Sequence, residues 1–83
     1  MIDVKQATQI ALKYFSELNP GMFERVALEE VEKSVDEKDW LVTLGYSLPS
    51  LLLLAGTPPQ REYKEIRIDA TNGNVVSMKI KKI

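Results

Sequence analysis

Neither cysteine nor histidine occurs among the 83 residues. Without cysteine the chain has no disulfides, iron–sulfur ligands, thiolate zinc sites or thiol nucleophiles. Without histidine it lacks the commonest metal ligand and the side chain best suited to proton transfer near neutrality. Carboxylates alone could still hold magnesium or calcium, but no acidic run has the spacing of a calcium loop. Aromatic residues are few, at one tryptophan, three tyrosines and two phenylalanines. Net charge is only −1 and the pI is about 5.4. With Tyr63 the only aromatic residue in the C-terminal strands, nucleic-acid binding is set aside. The longest apolar run is Leu51–Leu54; even with Leu48 and Ala55 it falls far short of the ~20 residues that span a bilayer. No metal, cofactor or catalytic residue is expected.

The opening MIDVKQATQ carries an acid at position 3 and no apolar stretch, unlike a secretory signal. The default expectation is a cytoplasmic protein, or an extracytoplasmic one if a leader has been removed. Hydrophobic content of 45% with 28% charged residues fits a folded chain rather than a disordered one. A chain this short predicts one domain, residues 1–83, with a small core.

Asp3 and Gln6 have capping-box spacing, with Ile2 ahead of them as a staple residue. Val4, Ala7, Ile10, Ala11, Tyr14 and Leu18 then recur at three- and four-residue steps. That spacing predicts an amphipathic helix of about four turns, stopped by Asn19-Pro20-Gly21. Residues 22–38 fit either periodicity. A strand over 25–35 is favoured, because the next segment needs a neighbour and a bulge would explain the change of parity at Val31. Asp36-Glu37-Lys38-Asp39 reads as a polar turn. Trp40, Val42, Leu44 and Tyr46 then alternate with Leu41, Thr43, Gly45 and Ser47, a clear strand.

REYKEIRID, residues 61–69, alternates again. It sets Arg61, Tyr63, Glu65, Arg67 and Asp69 on a wet face and buries Ile66 and Ile68 on the other. Asn72-Gly73 is a strong hairpin signal, since both residues tolerate positive φ, and Asp69 can hydrogen-bond the turn backbone. The last strand puts Val76, Met78 and Ile80 on one face and Val75, Ser77, Lys79 and Lys81 on the other. The fold class is therefore α+β: one N-terminal helix packed on one face of a four-stranded antiparallel meander sheet.

Charge is unevenly spread. Residues 22–39 carry seven acids against three bases, and residues 61–83 carry six bases against three acids. Complementary pairing between neighbouring strands accounts for this without invoking a charged partner. Of the acids Glu29, Glu30 and Glu32, period-two geometry puts the last two on one face and Glu29 on the other. Trp40 could stack on a ligand, but at the start of an alternating strand it reads as core.

The pattern resembles the PepSY family of small domains. An A-x-x-x-A helix (Ala7, Ala11) is followed by a polar strand and then W-L-V-T-L-G-Y, Trp40 to Tyr46. The chain closes with E-I-R-I-D-A-T-N-G-N-V-V, Glu65 to Val76. Tyr63, Ile66, Ile68, Asp69, Ala70, Gly73 and Val75 fall close to the hairpin pattern of such domains. The resemblance implies a non-catalytic binding or inhibitory module, often directed at a protease. The segment from Leu48 to Gln60 departs from it, being longer and greasier than the usual connection.

That segment contains SLPSLLLLAGTPPQ with the preceding serine. Burying one leucine contributes about 1.5–3 kcal/mol, so Leu51, Leu52, Leu53 and Leu54 together could contribute roughly 6–12 kcal/mol. Net stabilities are typically about 5–15 kcal/mol, so leaving all four in water would be costly. The run could extend the Trp40 strand past a bulge at Pro49. It could instead fold as a short helix from Ser50 to Gly56, or meet a second copy or another protein. Leu48 and Leu51–Leu54 are accordingly the candidate partner-binding residues, with Asp69, Asn72, Gly73 and Trp40 as structural ones. The leading expectation is a binding module for a protein partner or for itself, using the sheet edge or residues 48–60. The alternative is a small-molecule binder whose pocket lies between helix and sheet, where Tyr14, Tyr46 and Thr43 are the polar groups available.

Overall fold

A computed structural model describes residues 1–21, 23–47 and 61–82. Helix α1 spans Val4–Leu18 and is followed by strands β1 (Glu24–Lys33), β2 (Asp39–Ser47), β3 (Arg61–Asp69) and β4 (Val75–Ile80). The strands form one antiparallel sheet in the order β1-β2-β3-β4, with the helix against one face. Among the described residues no helix is long and apolar enough to cross a membrane.

The helix begins where its capping box lies. The Asp3 carboxylate accepts from the Gln6 amide at 2.8 Å, and the Gln6 side chain accepts from the Asp3 amide at 2.9 Å. Two otherwise orphaned amides are thereby satisfied. At the far end both the amide and the side-chain nitrogen of Asn19 donate to the Phe15 carbonyl, and Gly21 makes the reversal at φ +68. The buried stripe is Ala7, Ala11 and Phe15. This corrects the stripe expected from periodicity: Val4 and Leu18 are about half exposed, while Ile10 and Tyr14 flank the contact. The two alanines present little bulk to the sheet, and Phe15 packs on Phe23 and Tyr46.

The core beneath the helix is Val42, Leu44 and Tyr46 from β2 with Ile66 and Ile68 from β3. The outer strands reach it through bulges. In β1 the register shifts between Glu24 and Ala27 and again between Leu28 and Glu30, which places Val31 opposite Val42. The first shift carries Arg25 at φ +54, a left-handed conformation that costs a non-glycine residue about 1–2 kcal/mol. In β4 Val75 pairs with Ile68, but Ser77 pairs with Arg67, leaving Val76 as the extra residue. Val75 and Met78 therefore pack on the core, and Val76 is 56% exposed. The strict alternation expected for this strand, with Val76 on the face of Met78 and Val75 on the opposite one, fails at that bulge. Ile80 does share the helix face but is 71% exposed.

Trp40 is half-buried at the margin of the core rather than its largest piece. Its indole N–H donates to the Ile2 carbonyl at 3.2 Å, and the Lys33 ammonium lies 4.7 Å from its ring centroid. The Ile2 amide donates in turn to the Ala70 carbonyl, and the Ala70 amide to the Lys38 carbonyl. The start of the helix is thus tied to both loops at one end of the sheet.

Those loops are held by their own carboxylates. The Asp69 carboxylate accepts from the amides of Thr71 and Asn72, and the Gly73 amide donates to the Asp69 carbonyl. The turn spans Ala70–Gly73 and only Gly73 takes a positive φ, at +79, so it is not the two-residue Asn-Gly turn that the dipeptide suggests. In the β1–β2 loop the Ser34 hydroxyl donates to Asp36 at 2.6 Å, and the Lys38 amide donates to the same oxygen. These bonds favour the ionised form and hold the Asp36 carboxyl below its ordinary value. A depressed carboxylate adds stability above the unfolded-state value near 4, and that contribution disappears as pH falls through the lower folded-state value. Asp36→Asn is therefore expected to flatten the acid limb of a stability-versus-pH curve below about pH 4. Denaturant midpoints from pH 2 to pH 7 check this; identical acid limbs would refute it.

Candidate binding site

The two faces of the sheet differ in chemistry. Thr43, Gly45 and Ser47 turn away from the helix, and their small size lets longer side chains from neighbouring strands lie across β2. Arg61 reaches Glu29 at 2.8 Å over Gly45. The Lys81 ammonium lies 3.3 Å from Glu30, 3.7 Å from Glu65 and 3.1 Å from the Thr43 hydroxyl. Arg67 pairs with Asp39 at 3.6 Å. This face is half-buried rather than wet, because the ion pairs cover the strand beneath them. Glu29 belongs to it, since the bulge turns its carboxylate to the side that strict alternation assigned only to Glu30 and Glu32. Among the described residues, Glu29, Glu30 and Asp39 of the acidic stretch pair with Arg61, Lys81 and Arg67 of the basic one, so part of the uneven charge is met within the sheet. Each part-exposed pair is worth about 0–1 kcal/mol, so the network fixes register more than it adds stability.

On the helix face, the end of the sheet opposite Trp40 holds an aromatic trio. The ring centroid of Phe15 lies 5.1 Å from that of Tyr46 and 5.6 Å from that of Phe23, and Phe23 lies 4.4 Å from Tyr46. Burial pushes the Tyr46 phenol above its ordinary value, and Glu62 adds to the effect. Beside the trio is an open cleft of about 240 Å³, walled by Leu12, Phe15, Phe23 and Val26 with Ser16 and Asn19 at its rim. It is smaller than the 300–1,000 Å³ common for sites that enclose a drug-sized ligand.

The polar trio expected between helix and sheet does not assemble. Thr43 lies on the opposite face, bonded to Lys81, while Tyr46 is in the aromatic trio and Tyr14 flanks the helix contact. Among the described residues no group of three acids is placed to hold a metal ion, and no buried side-chain nitrogen or oxygen lacks a hydrogen-bond partner. Asp69, Asn72, Gly73 and Trp40 all belong to the loop end of the sheet, remote in the ladder from the cleft.

The candidate partner residues Leu48, Leu51, Leu52, Leu53 and Leu54 lie outside the described residues. The ends of their segment do not: Ser47 and Arg61 are direct partners in the β2–β3 ladder. The cleft residues Leu12, Phe15, Phe23 and Val26 went unrecognised as a group in the sequence. Phe15 continues the four-residue step of Ala7 and Ala11 and could have been found by it. Phe23 and Val26 come from a stretch whose periodicity was mixed. Comparison with protein-family models, curated proteins and solved structures gave no match.

Proposed function

We propose that the chain is a small non-catalytic binding module, regulatory or inhibitory toward a protein partner. Its contact surface is the end of the sheet where β2 leaves and β3 begins. The observation that carries this reading is the pairing of Ser47 with Arg61. Neighbouring antiparallel strands are usually joined by about 2–5 residues. Here thirteen residues, 48–60, join two positions already side by side. Closing the hairpin does not require them, and loops far longer than closure demands commonly carry function. Their leucine content and the adjacent cleft favour an apolar contact. The absence of cysteine and histidine and the PepSY-like pattern are in keeping with binding rather than catalysis.

The test replaces residues 48–60 by Asn-Gly and measures binding of peptides selected from a displayed random library on the full chain. The expected result is a folded variant that has lost binding, with Leu51→Ser/Leu53→Ser and Leu12→Ser each weakening it about tenfold. Unchanged binding by the folded short variant, or failure of the full chain to select any peptide, would overturn the proposal. If the short variant does not fold, the serine variants decide.

A further inference from the structure

The two outer edges of the sheet carry complementary patterns. β1 and β4 are the edge strands, and among the described residues no backbone group pairs with the outer side of either. Along the regular part of β1, Glu30 to Lys33, Glu30 and Glu32 lie on the polar face and Val31 on the helix face, while Leu28 lies on the helix face just before the bulge at Glu29. Along the regular part of β4, Ser77 and Lys79 lie on the polar face, while Met78 and Ile80 lie on the helix face. Leu28 is 43% exposed and Ile80 71%, and both belong to the single cross-strand row Leu28, Leu44, Lys64, Ile80. Glu30, by contrast, is held to Lys81 within its own sheet. Neither Glu32 nor Lys79 has an ion-pair partner among the described residues.

We infer that the β4 edge of one molecule pairs antiparallel with the β1 edge of a second copy, extending the sheet head to tail. Charge selects this arrangement over the two symmetric ones. Joining β4 to β4 would bring lysines together, and joining β1 to β1 would bring glutamates together; like charges across a ladder destabilise it. The β4-to-β1 junction sets Lys79 opposite or diagonal to Glu30 and Glu32, and Ile80 and Met78 beside Val31, with Leu28 at the bulge where the regular pairing ends. Continuing the strand alternation keeps both helices on the same side, so the apolar positions meet without a clash of faces. The bulge at Glu29 in β1 and the one at Val76 in β4 confine regular pairing to about four residues per strand, so the contact is weak. Since each molecule keeps one free edge of each kind, the assembly is open-ended rather than a closed dimer. This surface is separate from the end of the sheet that bears residues 48–60.

Sedimentation velocity and light scattering across protein concentration and sodium chloride test it. The expected result is a weight-average mass that rises with concentration without a plateau at twice the monomer, and that falls as salt is added. Lys79→Glu and Glu32→Lys are each expected to weaken association about tenfold, and the double exchange to restore it. Both residues are exposed, so circular dichroism should show unchanged folding. A monomer at all concentrations, a dimer of fixed mass, association that strengthens with salt, or single exchanges without effect would each overturn the inference. The variant lacking residues 48–60 should associate like the full chain, which separates this result from that of the partner-binding test.

Discussion

Phe15→Ala is expected to lower stability by about 3–5 kcal/mol, the usual range for deleting a buried aromatic side chain. Phe15 is 2% exposed and touches both other members of the aromatic trio. Its removal also leaves Tyr46 without the ring that covers it from the helix. The cleft at its side lets water reach part of the vacated space, which favours the lower half of that range. For a domain of this size the midpoint of thermal unfolding should fall by more than about 10 °C. Urea unfolding followed by far-ultraviolet circular dichroism measures the loss. A change below about 1 kcal/mol would show that the helix is not held through this ring.

Gly73→Val is the second large effect. At φ +79 a β-branched residue is strained, by about 1–2 kcal/mol for the backbone alone. A Cβ at this position would also lie 3.1 Å from Ile10 Cδ1 and 3.5 Å from Ile2 Cγ2. Pushing those side chains away disturbs the helix start and the ties of Ile2 to Ala70 and Trp40. Crowding of this kind typically adds about 1–3 kcal/mol, giving a total of about 2–5 kcal/mol. Gly73→Asn separates the two causes, because asparagine tolerates the left-handed region but still carries a Cβ. Its cost should fall clearly below that of valine. Equal costs for the two variants would assign the whole effect to crowding, and no cost for either would refute the packing of this loop on the helix.

Alternation made β2 legible in the sequence, since a central strand with one greasy face keeps strict period two. The capping box and the Asn-Pro-Gly stop made the helix legible for local reasons: those residues satisfy or break backbone hydrogen bonds without help from the fold. What escaped was set by tertiary geometry. Periodicity alone did not distinguish a stripe centred on Ala11 from one running through Val4 and Leu18. Packing against the sheet selected the small residues, and Phe23 and Tyr46 gave Phe15 its place. A single extra residue in β4 exchanged Val75 for Val76, and an extra residue in β1 turned Glu29. Bulges leave little composition signal. The candidate site was legible only as an excess of leucine in a connection. That the excess joins two neighbouring ladder positions required knowing the register.

The bond from the Trp40 indole to the Ile2 carbonyl has a practical consequence. Trp40 is the only tryptophan in the chain. Its emission therefore reports on one place, where the start of the helix meets β2, without interference from a second fluorophore of its kind. A red shift that precedes loss of the far-ultraviolet signal during denaturation would mean that the helix lifts away before the strands separate. Coincident signals would mean that the layers come apart together.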